Sequence, residues 1–236
     1  MRYEGHMLRH ELKYYINERV YLDLRARLKT VLRPDENMVN EQGYLISSLY
    51  FDDIYNSSED EKKSGIKTRK KYRIRACNRS KNLIKLECKR KFGEYISKES
   101  MTLTADGYNR IMSNDYDFLL ASGNQVGHEV FCHNRTRLLK PKVVVEYLRE
   151  AYVLREGNVR ITFDKDISGS VTNLDMFDEN FSTYRVIDNN VMVLEVKYDA
   201  YLPSYVYAML QTAMTDKCAI SKYVICKEGQ RRTRGI

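Results

Sequence analysis

The chain has 236 residues, 43% of them hydrophobic and 31% charged, with a formal net charge of +8. That length can bury a sizeable core, and that composition excludes disorder over most of it. The basic excess favours polyanionic partners such as nucleic acid, phosphates or an acidic membrane surface. The longest uncharged apolar runs, such as Val143-Val144-Val145, fall far short of the roughly 20 residues a membrane-spanning helix needs. Met1 to Met7 carries neither an apolar core nor a small-residue cleavage site, so no secretory leader is expected. The five cysteines contain no Cys-x-x-Cys pair. A reduced, cytoplasmic protein without structural zinc is therefore expected.

In chain order, Leu8 to Ile16 reads as a strand with Arg9, Glu11, Lys13 and Tyr15 on one face. Asn17 is placed to cap a helix running through Leu32, in which Val20, Leu24, Leu28 and Val31 keep helical spacing before Pro34 ends it. Further strands are predicted at Tyr44 to Phe51, Tyr72 to Asn78, Leu83 to Lys91, Lys98 to Leu103, Lys142 to Leu154, Asn158 to Asp164 and Val191 to Tyr198. Helices fit Tyr55 to Ser64, Thr104 to Ser113, a segment around Gly127 to Leu139, Tyr205 to Thr215 and Ser221 to Lys227. Short turns at Asn78 to Asn82 and Glu156-Gly157-Asn158 imply antiparallel pairing. With no repeat and no Pro/Gly/Ser-rich linker, residues 1–236 read as a single α+β domain on a large antiparallel sheet or barrel.

Charge alternation singles out two neighbouring strands. Lys71, Arg73 and Arg75 share one face opposite Tyr72, Ile74 and Ala76; Lys85, Glu87, Lys89 and Lys91 share another opposite Ile84, Leu86 and Cys88. Such faces fit the wetted side of a sheet, but like charges facing each other across strands are destabilising. Their bias to one sign fits a polyanion that neutralises them. If helices cover the apolar faces from outside, the ionic faces point inward and line a water-filled cavity.

Other elements add to this pattern, although each also fits an exposed ion pair or a plain cap. Glu195-x-Lys197 repeats the carboxylate–lysine face of Glu11 and Lys13. A carboxylate inside a phosphate site has a chemical task, because a divalent ion bridges phosphate and protein oxygens. Ser221-Lys222 opens a helical run, where free amides and the helix dipole suit a phosphate. No P-loop, dinucleotide, zincin or serine-hydrolase motif occurs. Nucleic acid is not an expected partner, because Tyr72 falls on the face opposite the cations and leaves no stacking platform.

The ordered set Arg9-His10-Glu11-Leu12-Lys13-Tyr14, Leu49-Tyr50-Phe51-Asp52, Lys71-Tyr72-Arg73-Ile74-Arg75, Glu87-Cys88-Lys89, Tyr147-Leu148-Arg149-Glu150-Ala151, Val159 to Asp164, Leu194 to Tyr198 and Ser221-Lys222-Tyr223 resembles the polyphosphate polymerase (VTC) domain. That domain belongs to the triphosphate tunnel metalloenzymes. The resemblance spans nearly the whole chain and implies an eight-stranded antiparallel barrel with a charged bore, surrounded by helices. It implies phosphate ligands at Lys13, Arg73, Arg75, Lys89, Lys98, Arg149, Arg160 and Lys222, with Tyr147 and Ser221 as donors. Glu195 would hold Mn²⁺ or Mg²⁺, with Glu11 a second candidate ligand, and Arg73, Arg75, Lys89, Lys98 and Glu195 would form the catalytic set. The implied reaction moves the γ-phosphoryl group of ATP onto a growing polyphosphate chain. An inorganic or organic triphosphatase, or a non-catalytic polyphosphate or inositol-phosphate binder, are the alternatives. Two departures stand out: Arg9 replaces the first acid of the superfamily's Glu-x-Glu-x-Lys opening, and Ala219 stands where the family carries a basic residue, leaving Lys217 nearby. No membrane-protein partner is specified by the sequence.

Overall fold

The computed structural model describes residues 2–3, 5–214 and 218–233. Eight long strands carry the fold: β1 (Arg9–Asn17), β2 (Tyr44–Asp52), β3 (Thr68–Cys77), β4 (Ile84–Phe92), β5 (Tyr95–Leu103), β6 (Lys140–Leu154), β7 (Val159–Ser170) and β8 (Val191–Tyr198). Seven helices accompany them among the described residues: α1 (Glu18–Val31), α2 (Ser57–Lys63), α3 (Ala105–Met112), α4 (Asp117–Ala121), α5 (Gln125–Arg137), α6 (Ser204–Leu210) and α7 (Lys222–Thr233). None of these helices is long and apolar enough to cross a membrane.

The strands follow the order β7–β8–β1–β5–β4–β3–β2–β6, and β6 pairs again with β7, so an antiparallel sheet closes on itself as an eight-stranded barrel. Closure gives each of the eight strands a partner on both sides for at least part of its length. Its seams are unequal. Strands β6 and β7 pair over most of their length, from Val159↔Leu154 to Ser170↔Val144, with a bulge between Lys165 and Ser168. By contrast β1 and β5 meet only at Arg9↔Ile96 and His10↔Tyr95.

Period-two alternation sorts the side chains. Outward residues of β3, β4 and β5, including Tyr72, Ile74, Leu86 and Cys88, pack under α3, α4 and α5 with Tyr108, Ile111, Leu119 and Val130. Tyr14, Ile16, Ile161, Phe163, Leu194 and Val196 lie under α1 and α6 against Leu24, Leu28 and Leu210. With both apolar faces covered from outside, the charged residues of these strands are left inside. The interior is not wholly ionic: Ile46, Val143, Val145, Tyr147 and Val193 join Ile220, Tyr223, Val224 and Cys226 in a third cluster, where α7 meets the barrel.

Several boundaries differ from the sequence reading for local reasons. The cap of α1 is as expected, Asn17 Oδ1 accepting from the Val20 amide at 3.0 Å. Strand β5 starts at Tyr95 rather than Lys98, because a tight turn with Gly93 at φ 59° lets Phe92 pair directly with Tyr95. Strand β7 continues six residues beyond Asp164 by absorbing its bulge, where Asp166 takes a φ of 53°. Helix α4 has no apolar periodicity long enough to be read from sequence. The expected end of the 205–215 helix at Thr215 lies outside the described residues, and α6 stops at Leu210 before a single 3-10 turn.

Candidate anion-binding cavity

A cavity of about 140 Å³ occupies the barrel interior on the side of α2 and α7. Because a water molecule needs roughly 10–15 Å³ of such space, it has room for several linked phosphoryl groups. Ten Lys and Arg side chains line it against three Glu: Lys13, Lys62, Arg69, Lys71, Arg73, Lys89, Lys91, Arg149, Lys197 and Lys222 against Glu11, Glu94 and Glu195. Tyr50, Tyr147 and Ser221 add hydroxyls. Clustered cations in a partly desolvated space attract each other's counter-ions strongly.

The carboxylates organise this charge. Strands β1 and β8 pair Glu195 with Lys13 and Lys197 with Glu11. Lys13 Nζ lies 3.1 Å from Glu195 and 3.5 Å from Glu11, and Lys197 bridges the same two acids. Lys89 contacts both Glu11 oxygens at 2.6 Å. Burial alone would push the Glu11 carboxyl up, but Lys13 and Lys89 more than offset it and hold it at about 2. Glu195 is likewise held well below the carboxylate range against its burial by Lys197, Lys13 and Arg149. Both are acceptors for cations throughout the neutral range.

Beside Glu195, from which it is 3.7 Å away, Arg149 makes a bidentate pair with Asp164 at 2.7 and 2.8 Å. Lys222 reaches the same carboxylate at 2.6 Å and sits 4.7 Å above the Tyr147 ring. This buried acid ties the start of α7 into the barrel. Tyr223 adds a second tie, donating to Asp52 at 2.5 Å, and Lys227 a third to Glu59 at 2.7 Å. Glu87, fully buried, gathers Arg73 at 2.7 Å, Arg75 at 2.8 Å and Lys98 at 3.0 Å.

Of the residues singled out in the sequence, Lys13, Arg73, Lys89, Tyr147, Arg149, Glu195, Ser221, Lys222 and Glu11 line this one cavity. Arg75, Lys98 and Arg160 do not. Arg75 and Lys98 end on Glu87, while Arg160 contacts the Tyr44 hydroxyl at 2.8 Å and Asp35 at 3.1 Å. Arg9, the departure at the first strand, pairs with Asp199 at 2.7 Å outside the cavity lining. Ala219 does line the cavity, and Lys217 lies outside the described residues.

Sequence reasoning left out Lys62, Arg69, Lys71, Lys91 and Lys197 as ligands, and Asp164 as the partner of Arg149. Lys71, Lys91 and Lys197 stood on the alternating faces already and were recoverable from them. Arg69 extends the Lys71–Arg73–Arg75 face by one more period but precedes the strand expected from Tyr72, while Lys62 on α2 carries no periodic signal. Only the packing of α2 against β3 brings Lys62 in.

Among the described residues no group of three or more His, Cys, Asp or Glu could hold a metal ion. The donors present nevertheless fit a hard divalent ion that takes most of its ligands from substrate and water. Glu195 and Glu11 supply carboxylate oxygens, and the buried Thr162 hydroxyl, the register partner of Glu195, has no hydrogen-bond partner.

A family model described as the VTC domain matches residues 8–228. No curated protein matches the sequence significantly. Among solved structures, the PH1819 protein from Pyrococcus horikoshii OT3 is similar at 14% identity over 93% of this chain and 98% of its own, with a TM-score of 0.47. The PH1012 protein of the same organism aligns at 11% identity over 91% and 96%, with a TM-score of 0.47. The Schizosaccharomyces pombe Mediator head module aligns at 10% identity over 89% of this chain and 94% of that one, with a TM-score of 0.49. None of these structural likenesses bears on the chemistry.

Proposed function

The chain belongs to the VTC domain family, and from that premise we propose that it is a polyphosphate polymerase, moving the γ-phosphoryl group of ATP onto the end of a polyphosphate chain inside the barrel. The observation that carries this reading is the excess of ten cations over three carboxylates around one cavity. A phosphate chain has that charge density and needs no base-specific contact. In the reaction a terminal phosphate oxygen of the acceptor forms a bond to the γ phosphorus as the β,γ-bridging P–O bond breaks. ADP leaves with the electron pair. Such transfer depends on positioning and charge neutralisation rather than on a protein nucleophile.

Arg73, Lys89, Arg149 and Lys222 bind and orient the phosphates. At an effective dielectric near 20, each cation about 4 Å from a phosphate oxygen contributes an interaction on the order of 4 kcal/mol before desolvation is counted. Tyr147 and Ser221 donate hydrogen bonds. Glu195, with Glu11, would hold Mn²⁺ or Mg²⁺, which when bound neutralises charge on the transferring phosphoryl group. No side chain is needed as a general base, because a phosphate oxygen attacks.

One observation favours a second reading, hydrolysis of a triphosphate by water. The cavity lining stops short of Arg75, Lys98 and Arg160, and Glu87 holds the first two. A bore closed at that cluster would take a triphosphate more readily than thread a polymer. Incubation with ATP and Mn²⁺, followed by separate assays of polyphosphate and free phosphate, separates the readings. Polymer supports the polymerase, and free phosphate alone supports the triphosphatase. Tight phosphate binding without turnover would leave a non-catalytic binder.

A further inference from the structure

We propose that Lys71 is a further phosphate ligand of the cavity, one that becomes fully charged only when a phosphate chain is bound, so that binding near neutral pH takes up a proton at its Nζ. This rests on the phosphate-handling reading above.

Geometry sets Lys71 apart from the cavity cations that hold a carboxylate. Lys13, Lys89, Lys197, Lys222, Arg73 and Arg149 each hold a carboxylate. Lys71 makes no ion pair among the described residues. Its Nζ instead lies 2.8 Å from Ser221 Oγ and 5.1 Å from the centre of the Tyr223 ring. It thus joins the β3 wall to the beginning of α7, the segment whose serine and lysine face the phosphates.

The groups around it oppose its charge from every side. Arg69 stands on its own strand, Lys89 is its register partner on β4, Lys13 comes from β1 and Lys62 from α2. Ser221 and Tyr223 are neutral, and Asp52, at the hydroxyl end of the Tyr223 ring, is occupied by that hydroxyl and by the Ser58 and Glu59 amides. Lys71 is half-buried in the cavity lining, and burial of its ammonium, followed by these cations, pushes it down to about 7. An entering polyanion neutralises the surrounding cations and supplies the counter-charge that offsets the cost of burying the ammonium. A neutral amine can accept a hydrogen bond from the Ser221 hydroxyl; a charged one donates to Ser221 Oγ, as in the structure, and to a phosphate oxygen as well. Free and bound states of this corner therefore differ by a proton.

The sign follows from linkage. With the free group near 7 and the bound group higher, affinity is greatest below 7 and falls as pH rises through the free value. The test is calorimetric titration of inorganic tripolyphosphate, without metal, at pH 7.5 in buffers of different ionisation enthalpy, for the wild type, Lys71→Arg and Lys71→Met. At that pH a group titrating near 7 is mostly neutral, so Lys71 accounts for about 0.8 of a proton taken up by the wild type. Lys71→Arg, permanently charged, binds with uptake lower by about that amount and with a flatter pH profile. Lys71→Met shows the same fall in uptake and binds at least tenfold more weakly. Undiminished uptake in Lys71→Arg, or undiminished affinity in Lys71→Met, overturns the assignment while leaving the phosphate reading intact. No binding of tripolyphosphate to the wild type overturns both.

Discussion

Glu87→Gln tests whether the buried carboxylate holds the cationic interior together. Glu87 is 0% exposed and takes Arg73, Arg75 and Lys98 at 2.7 to 3.0 Å. Removing one partner of a buried ion pair costs roughly 3–5 kcal/mol. The side chains of Arg73 and Arg75 are 14% and 19% accessible and Lys98 41%, so water partly relieves them and the low end, about 3 kcal/mol, applies. For a chain of this size that lowers Tm by roughly 6–12 °C. Polyanion affinity moves the other way. A negative charge removed about 10 Å from a bound phosphate gives about 1–2 kcal/mol at an effective dielectric of 20, reduced by salt to several-fold in affinity. Thermal unfolding with and without inorganic tripolyphosphate measures both effects: the variant melts lower alone and is stabilised more by the ligand. Melting within 2 °C of wild type at pH 7 would refute the reasoning. A pH series adds a check on sign. Burial pushes the Glu87 carboxyl up, but Arg73, Arg75 and Lys98 outweigh it and hold it far below its ordinary value. Its contribution is complete above the unfolded carboxylate value of about 4.3 and fades as pH falls below it. The gap between wild type and variant closes there.

Three further outcomes are expected. Glu195→Gln abolishes metal-dependent turnover of ATP, yet leaves metal-free tripolyphosphate binding equal or tighter, since it frees Lys13 and Lys197; calorimetry and product assays read the two effects apart. Gly43→Ala places a Cβ 2.1 Å from the Arg149 carbonyl at a φ of +106°, so it destabilises by well over 1 kcal/mol and weakens tripolyphosphate binding by displacing Arg149, read by unfolding and calorimetry. Asp164→Asn releases Arg149 and Lys222 from their shared anchor, and the loss appears as lower kcat for ATP consumption and easier proteolysis within residues 218–233.

The legible part of the site lies on strands. Arg73, Lys89, Arg149 and Glu195 occupy faces that alternate with period two, and the closed barrel turns those faces into one cavity. Arg75 and Arg160 share the same alternation, yet neither lines the cavity, because position along a strand decides depth and alternation does not. Glu87 was visible as a lone carboxylate among cations. That it gathers three of them depends on how β3 and β5 flank β4.

Local order came from neighbouring residues alone: which face of each strand is ionic, that α1 starts at Asn17, and that short turns make neighbours antiparallel. Those properties rest on backbone geometry that repeats every two or 3.6 residues. Closure decided which face is the inside, because only helices packed over the apolar faces leave the cations no outlet but the bore. Contacts distant in sequence decided the rest. Lys71 meets Ser221 across 150 residues, and Arg149 meets Asp164 across the β6–β7 pair. The charge state of each follows from burial and from neighbours brought by other elements, which no local pattern encodes.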